Sequence, residues 1–140
     1  MNVFIDTNVF LDFIARRGDF YAPAATIVSL AYREKINLMV SALSFATASY
    51  VLEHHYKMSQ GEIIEDYEEF ITLCGITTIG HETVRLSVDS AFADFEDAMQ
   101  HYSAMIDGAD CIVTRNKKDF EMSKLPIYEP QEFLDYIVGK

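Results

Sequence analysis

The sequence predicts an α/β fold on a largely parallel sheet, because short apolar runs alternate along it with longer stretches of helical spacing. The short runs, at residues 3–5, 38–40, 76–79, 111–113 and 127–128, are the strand candidates. Ile27, Leu30 and Ala31 precede the second run, and Ile63, Tyr67, Phe70 and Ile71 precede the third, with spacings that suit one face of a helix. Further helices fit residues 83–92, 95–105 and 131–138. Pro130 stands first in the last of these, where its fixed φ suits a helix start. No repeat, low-complexity tract or linker interrupts the pattern, so residues 1–140 read as one domain. A chain of this length buries roughly 70% of its unfolded surface and needs no staples.

Half the residues are hydrophobic and 24% are charged, a globular balance that argues against disorder. Cys74 and Cys111 sit in apolar surroundings without metal-type or redox-type spacing, and read as buried, reduced thiols. Asp6 interrupts the only apolar stretch at the N-terminus, so no signal peptide is expected. The longest uncharged run, residues 36–52, contains Asn37, Ser41, Ser44, Thr47 and Ser49 and makes a poor membrane span. A soluble, cytoplasmic protein without membrane contact is expected. The net charge of −11 keeps such a protein in solution, but it opposes nucleic-acid binding unless a divalent ion reverses the field locally.

Ligands of open parallel sheets bind beyond the carboxyl ends of the strands, and that rule sorts the acids. Asp6 ends the first strand candidate. Asp97 lies in the first turn of the helix before the fourth strand, whose N-terminus should return to the edge that holds Asp6. Asn116 and Asp119 leave the fourth strand at that edge, and Asp94 stands close by. Asp110 precedes the same strand and belongs on the opposite edge, well over 10 Å away at about 3.3 Å per residue. Each of these residues also has a plainer use. Asp6 suits a helix N-cap, Asp94 and Asp97 a capping box, and Asn116 and Asp119 repeat that spacing. Their convergence from distant parts of the chain is what capping does not explain. Carboxylates gathered without matching lysines repel one another unless a cation neutralises them, and hard oxygen donors favour Mg²⁺ or Mn²⁺, ions that serve phosphodiester chemistry.

Three segments, VFIDTNVFLD, DFEDAMQ and ADCIVTRNKKDF, taken in order, resemble the PIN-domain family, in particular the VapC-like toxins of bacterial toxin–antitoxin pairs. The resemblance implies a three-layer α/β/α sandwich with a central parallel sheet of four to five strands. It implies hydrolysis of RNA phosphodiesters with Mg²⁺ or Mn²⁺, with Asp6 and Asp97 as the main metal ligands and Asn116 or Asp119 binding the ion or positioning water. Thr7, Asn8 and Thr114 would hold the carboxylates in place. A cognate antitoxin and a homodimer are the implied partners. The family usually has a Glu early in the helix after the second strand, where this chain has Thr47. The nearest acid, Glu53, lies about 9 Å farther along and about 120° off that face. Asn116 stands where many relatives carry Asp.

Arg115, Lys117 and Lys118 form the basic group nearest these acids and would contact phosphates on either side of a cut, although a solvated loop explains them equally well. Arg16 and Arg17 are a second basic pair. Adjacent His54 and His55 point about 100° apart and do not suit one ion. His101, one turn after Asp97, reads as structural or exposed. Phe20, Tyr21 and Tyr50 would offer stacking surfaces if core packing does not use them. The competing reading is a catalytically weak module of the same fold that binds RNA or a protein, favoured by the absent Glu. Phosphoryl-transfer domains on similar sheets fit poorly: Asp6 stands alone after the first strand, and Asn8 occupies the place of a phosphatase's second Asp.

Overall fold

Among residues 1–139, which this computed structural model describes, five parallel strands are interleaved with seven helices. The order is β1 (Asn2–Ile5), α1 (Thr7–Ile14), α2 (Tyr21–Tyr32), β2 (Asn37–Ser41), α3 (Ala42–His54), α4 (Gln60–Phe70), β3 (Cys74–Thr77), α5 (His81–Val88), α6 (Phe95–Ile106), β4 (Cys111–Val113), β5 (Ile127–Tyr128) and α7 (Pro130–Val138). Short 3₁₀ turns occupy Gly18–Phe20 and Lys117–Phe120. The sheet runs β3-β2-β1-β4-β5, so the chain reverses its direction of growth between β1 and β4. That reversal opens the crevice in which such sheets place their ligands.

Side chains alternate across the strands, and this sorts the core into two layers. Val3, Ile5, Leu38, Val40, Cys111 and Val113 face a larger core completed by Val9 and Phe10 of α1, Ile27 of α2, Leu52 of α3, Ile63 and Phe70 of α4 and Phe133 of α7. Phe4 and Ile112 face the other way, onto Ala104 of α6, Ala109 and Phe120. The result is the α/β/α sandwich. Phe10 centres the larger layer, with ring centroids 4.9 Å from Phe45 and Phe70 and 5.8 Å from Tyr67. No helix among the described residues is long and apolar enough to cross a membrane.

The expected elements recur with two shifts. The third strand lies at Cys74–Thr77, two residues before its expected start, because its partner β2 ends at the Ser41↔Thr77 pair and gives Thr78 and Ile79 no ladder to join. α5 begins at His81, where Thr83 Oγ1 accepts the Gly80 N–H (3.2 Å). It stops at Val88, where Ser90 takes over local hydrogen bonding through the Ser87 carbonyl and the Phe92 N–H. Cys74 and Cys111 are free thiols in β3 and β4, with β2 and β1 between them. Burial pushes their pKa values up to about 11 and about 12.

Phe10 is fully buried in a ring of aromatics. Phe10→Ala is expected to cost about 3–5 kcal/mol of unfolding free energy, measured by urea titration. A loss below about 1 kcal/mol would show that the cluster collapses around the gap.

Candidate active site

The strand register sets a row of polar residues along the carboxyl edge of the sheet. Ile5 pairs with Val113, Phe4 with Met39 and Ser41 with Thr77, which brings Thr77, Ser41, Asp6 and Thr114 side by side on neighbouring strands. All four are buried. α6 lies over this row with its own polar stripe, Asp97, Gln100 and Ser103, spaced one turn apart and continued by its C-cap Asp107. Ser103 Oγ meets Thr77 Oγ1 at 2.6 Å, and Asp107 accepts the Thr78 N–H at 2.9 Å. Gln100 Nε2 donates to Asp6 Oδ1 (3.2 Å), Thr7 Oγ1 (3.0 Å) and Ser44 Oγ (2.7 Å), while its carbonyl oxygen accepts from Ser41.

Asp6 caps α1 through a hydrogen bond from the Thr7 N–H (2.8 Å). Its other oxygen accepts from Thr114 Oγ1 at 2.8 Å and, more distantly, from Asn8 Nδ2 at 3.5 Å. The capping and site readings of Asp6 are therefore compatible, since one oxygen serves the helix and both remain at the edge. Burial raises its pKa, opposed by the hydrogen bonds from Thr114, Thr7 and Gln100. Asp94 is a true cap for α6, accepting the Asp97 N–H at 3.0 Å. Asp97 does not complete a capping box, and its half-buried carboxylate has no hydrogen-bond or ion-pair partner among the described residues. Its pKa is pushed up to about 7, by burial first and then by the charges of Asp6, Asp94, Asp119 and Glu96. Asn116 likewise makes no side-chain cap to the turn that follows it.

Asp6, Asp94, Asp97, Asn116 and Asp119 line one groove of about 420 Å³, together with Thr7, Asn8 and Arg115. Lys117 and Lys118 lie outside it, on an adjoining hollow of about 670 Å³, where Lys117 pairs with Glu132 at 3.2 Å. Thr47 faces the groove, whereas Glu53 is exposed on α3 and does not line it. Asp110 accepts the Asn2 N–H at 2.7 Å at the start of β1, on the far edge as expected. His101 is buried, with Nε2 accepting from the Lys124 N–H, and is structural; His54 and His55 are exposed.

Three further residues that the sequence pattern does not single out shape the site. Gln100 is signalled only by its place three residues after Asp97. Glu96 lines the groove and accepts a hydrogen bond from Thr47. Asp12 is 1% exposed and holds two arginines: Arg17 Nε at 2.8 Å and Arg115 Nε and a terminal nitrogen at 2.7 and 3.2 Å. Arg115 thus does not hang free in a solvated loop; its guanidinium also lies 3.8 Å over the Phe20 ring.

Residues 2–118 match the PIN domain family, and the chain belongs to it. Two solved structures share the fold. One is VapBC2 from Rickettsia felis bound to a DNA fragment from their promoter, at TM-score 0.66 and 16% identity over 92% of this chain and 98% of that one. The other is PAE2754 from Pyrobaculum aerophilum, at TM-score 0.66 and 14% identity over 100% of this chain and 91% of that one. No curated protein sequence matches.

Among the described residues, no three His, Cys, Asp or Glu side chains are already gathered closely enough to hold a metal ion. Asp6, Asp94, Glu96, Asp97 and Asp119 line an open groove without closing into such a group. Their chemistry fits a hard divalent ion: they are oxygen donors, and none is neutralised by an ion pair among the described residues.

Two predictions follow from these charges. Asp12→Asn strands two half-buried guanidiniums and is expected to cost about 2–4 kcal/mol in urea unfolding; an unchanged midpoint would mean that solvent already screens the cluster. A carboxyl with a raised folded pKa binds its proton more tightly when folded. The metal-free protein therefore loses stability as pH rises from near 3.8 through about 7. In EDTA at pH 8, Asp97→Asn is expected to melt a few degrees above the parent, an advantage that fades through pH 7 and is gone below about 4. Equal melting at pH 8 would mean that neither burial nor the neighbouring acids penalise the Asp97 charge.

Proposed function

We propose that this protein is a metal-dependent endoribonuclease that hydrolyses RNA phosphodiester bonds, and that it is the toxin of a toxin–antitoxin pair. One observation carries the reading: Asp97, with no partner of its own, shares a groove with the buried Asp6 at the point where the sheet reverses its order. Membership of the PIN domain family, whose members are generally nucleases, supports it. The fold shared with Rickettsia felis VapBC2 supports a cognate antitoxin as partner. The family resemblance carries the further reading that the protein acts in the cytoplasm as a homodimer.

Asp6 and Asp97 would hold Mg²⁺ or Mn²⁺, which when bound supplies an acidified water and offsets charge on the scissile phosphate. Thr114 and Gln100 fix the Asp6 carboxylate from two sides, so it cannot turn away from the groove. The Asp97 carboxylate has no hydrogen bond or ion pair of its own to give up to a ligand. Asn116 and Asp119 line the same groove, where an amide and a carboxylate oxygen would bind the ion or orient water. Arg17 and Arg115, held in place by Asp12, present their remaining N–H groups at the rim, where a phosphate backbone would run. Lys117 and Lys118 would extend that contact beyond the groove.

The second reading, a catalytically weak module that binds RNA or a protein, is favoured by Thr47 at the place of the usual Glu. Incubating labelled single-stranded and structured RNA with purified protein in Mn²⁺, Mg²⁺ or EDTA separates the two. Cleavage is expected only with metal, and Asp6→Asn or Asp97→Asn should slow it by about a hundredfold or more. RNA that is bound but uncut by folded, antitoxin-free protein would establish the binding module instead.

A further inference from the structure

α3 brings no carboxylate to the groove, but α6 brings two. Thr47 stands on the groove wall, and its Oγ1 donates to Glu96 Oε1 at 3.2 Å, a bond that joins α3 to α6 across the site. Glu96 has no ion-pair partner among the described residues, and the capping of α6 falls to Asp94. An exposed Glu in a first helical turn ordinarily extends into water. Here a hydroxyl from another helix turns it back to the groove. Neighbouring helical residues project about 100° apart, so Glu96 and Asp97 reach the groove from different directions. Asp97 shares the stripe of Gln100, and Glu96 lies toward α3. The Glu96 charge also bears on both Asp6 and Asp97. The alternative donor, Glu53, is exposed elsewhere on α3.

We infer that Glu96 is a further metal-holding residue of this site, supplied from α6 and steered by the Thr47 hydroxyl into the place that a carboxylate on α3 would otherwise fill. The inference rests on the metal-dependent reading above. It would add a carboxylate donor to Asp6 and Asp97 on the side of the groove where α3 contributes only the Thr47 hydroxyl. The longer Glu side chain suits that approach from the rim.

The test is direct titration of the full-length protein with Mn²⁺ alone, with free ion counted by its electron paramagnetic resonance signal and folding checked by circular dichroism. Glu96→Gln is expected to weaken Mn²⁺ binding by about tenfold or more. Adding Thr47→Glu to that variant should restore most of the loss, because it returns a carboxylate to the same spot from α3. Glu53→Gln should bind as the parent does. If Asp6→Asn abolishes binding while Glu96→Gln leaves it unchanged, Glu96 is not a ligand, and the metal site and nuclease reading stand without it. If Glu96→Gln loses Mn²⁺, Thr47→Glu rescues it and the parent still cuts no RNA, the Glu96 assignment holds and the nuclease reading fails. Absence of saturable binding by the parent overturns both.

Discussion

Asp6 is an almost fully buried carboxylate whose hydrogen-bond partners are all neutral, and the geometry of the sheet's carboxyl edge follows from keeping it satisfied. Burying a carboxyl without a cation is costly unless hydrogen bonds replace its water. The replacements come from three separate elements: the first turn of α1, the residue just after β4 and the second turn of α6. Each donor ties its element to the end of β1, so the reversal point of the sheet, the entry of α1 and the lie of α6 are fixed together. The row of Thr77 and Ser41 continues the same logic toward the sheet edge, where Ser103 and Gln100 meet it. The polar stripe of α6 is buried for this reason.

Asp12, six residues further on, shows the opposite solution. It takes two guanidiniums, while the groove acids take none. Both arginines line the groove, yet they pair with Asp12 and not with Asp6 or Asp97. Cations are thus present within the site but committed elsewhere, and the groove keeps its negative charge unspent. A paired acid at this edge serves the fold. An unpaired one is available to a ligand.

Much of this edge was legible from the chain. β1 and β4 appear as short apolar runs that each end in polar residues, and Asp6, Thr114 and Asn116 follow from where those runs stop. Asp97 was legible through the topology rule, which returns a helix start to the ligand edge. The third strand slipped because edge pairing decides its register, and pairing is not local. Gln100, Glu96 and Asp12 were hidden for a shared reason. Each is a polar residue on a helix, which ordinarily reads as a solvated face, and its partner lies on another element more than 35 residues away for the first two, or in a loop 103 residues away for the last. Only the packing of α3 against α6, and of the loop after β4 against α1, reveals them.

The net charge of −11 looked like an obstacle to a polyanionic substrate, and the structure suggests how the site can tolerate it. Two arginines around one aspartate leave a surplus of positive charge at the groove rim. That surplus cannot drift onto the neighbouring acids, because bidentate geometry and the Phe20 ring hold Arg115 in place. A phosphodiester chain laid along the groove would pass from this fixed positive rim to a floor whose sign depends on bound cation. Bound cation would turn that floor from repulsive to attractive. Acidic surface elsewhere would then suppress non-specific adhesion to nucleic acid. Binding would be confined to the one place where the metal and the arginine rim act together.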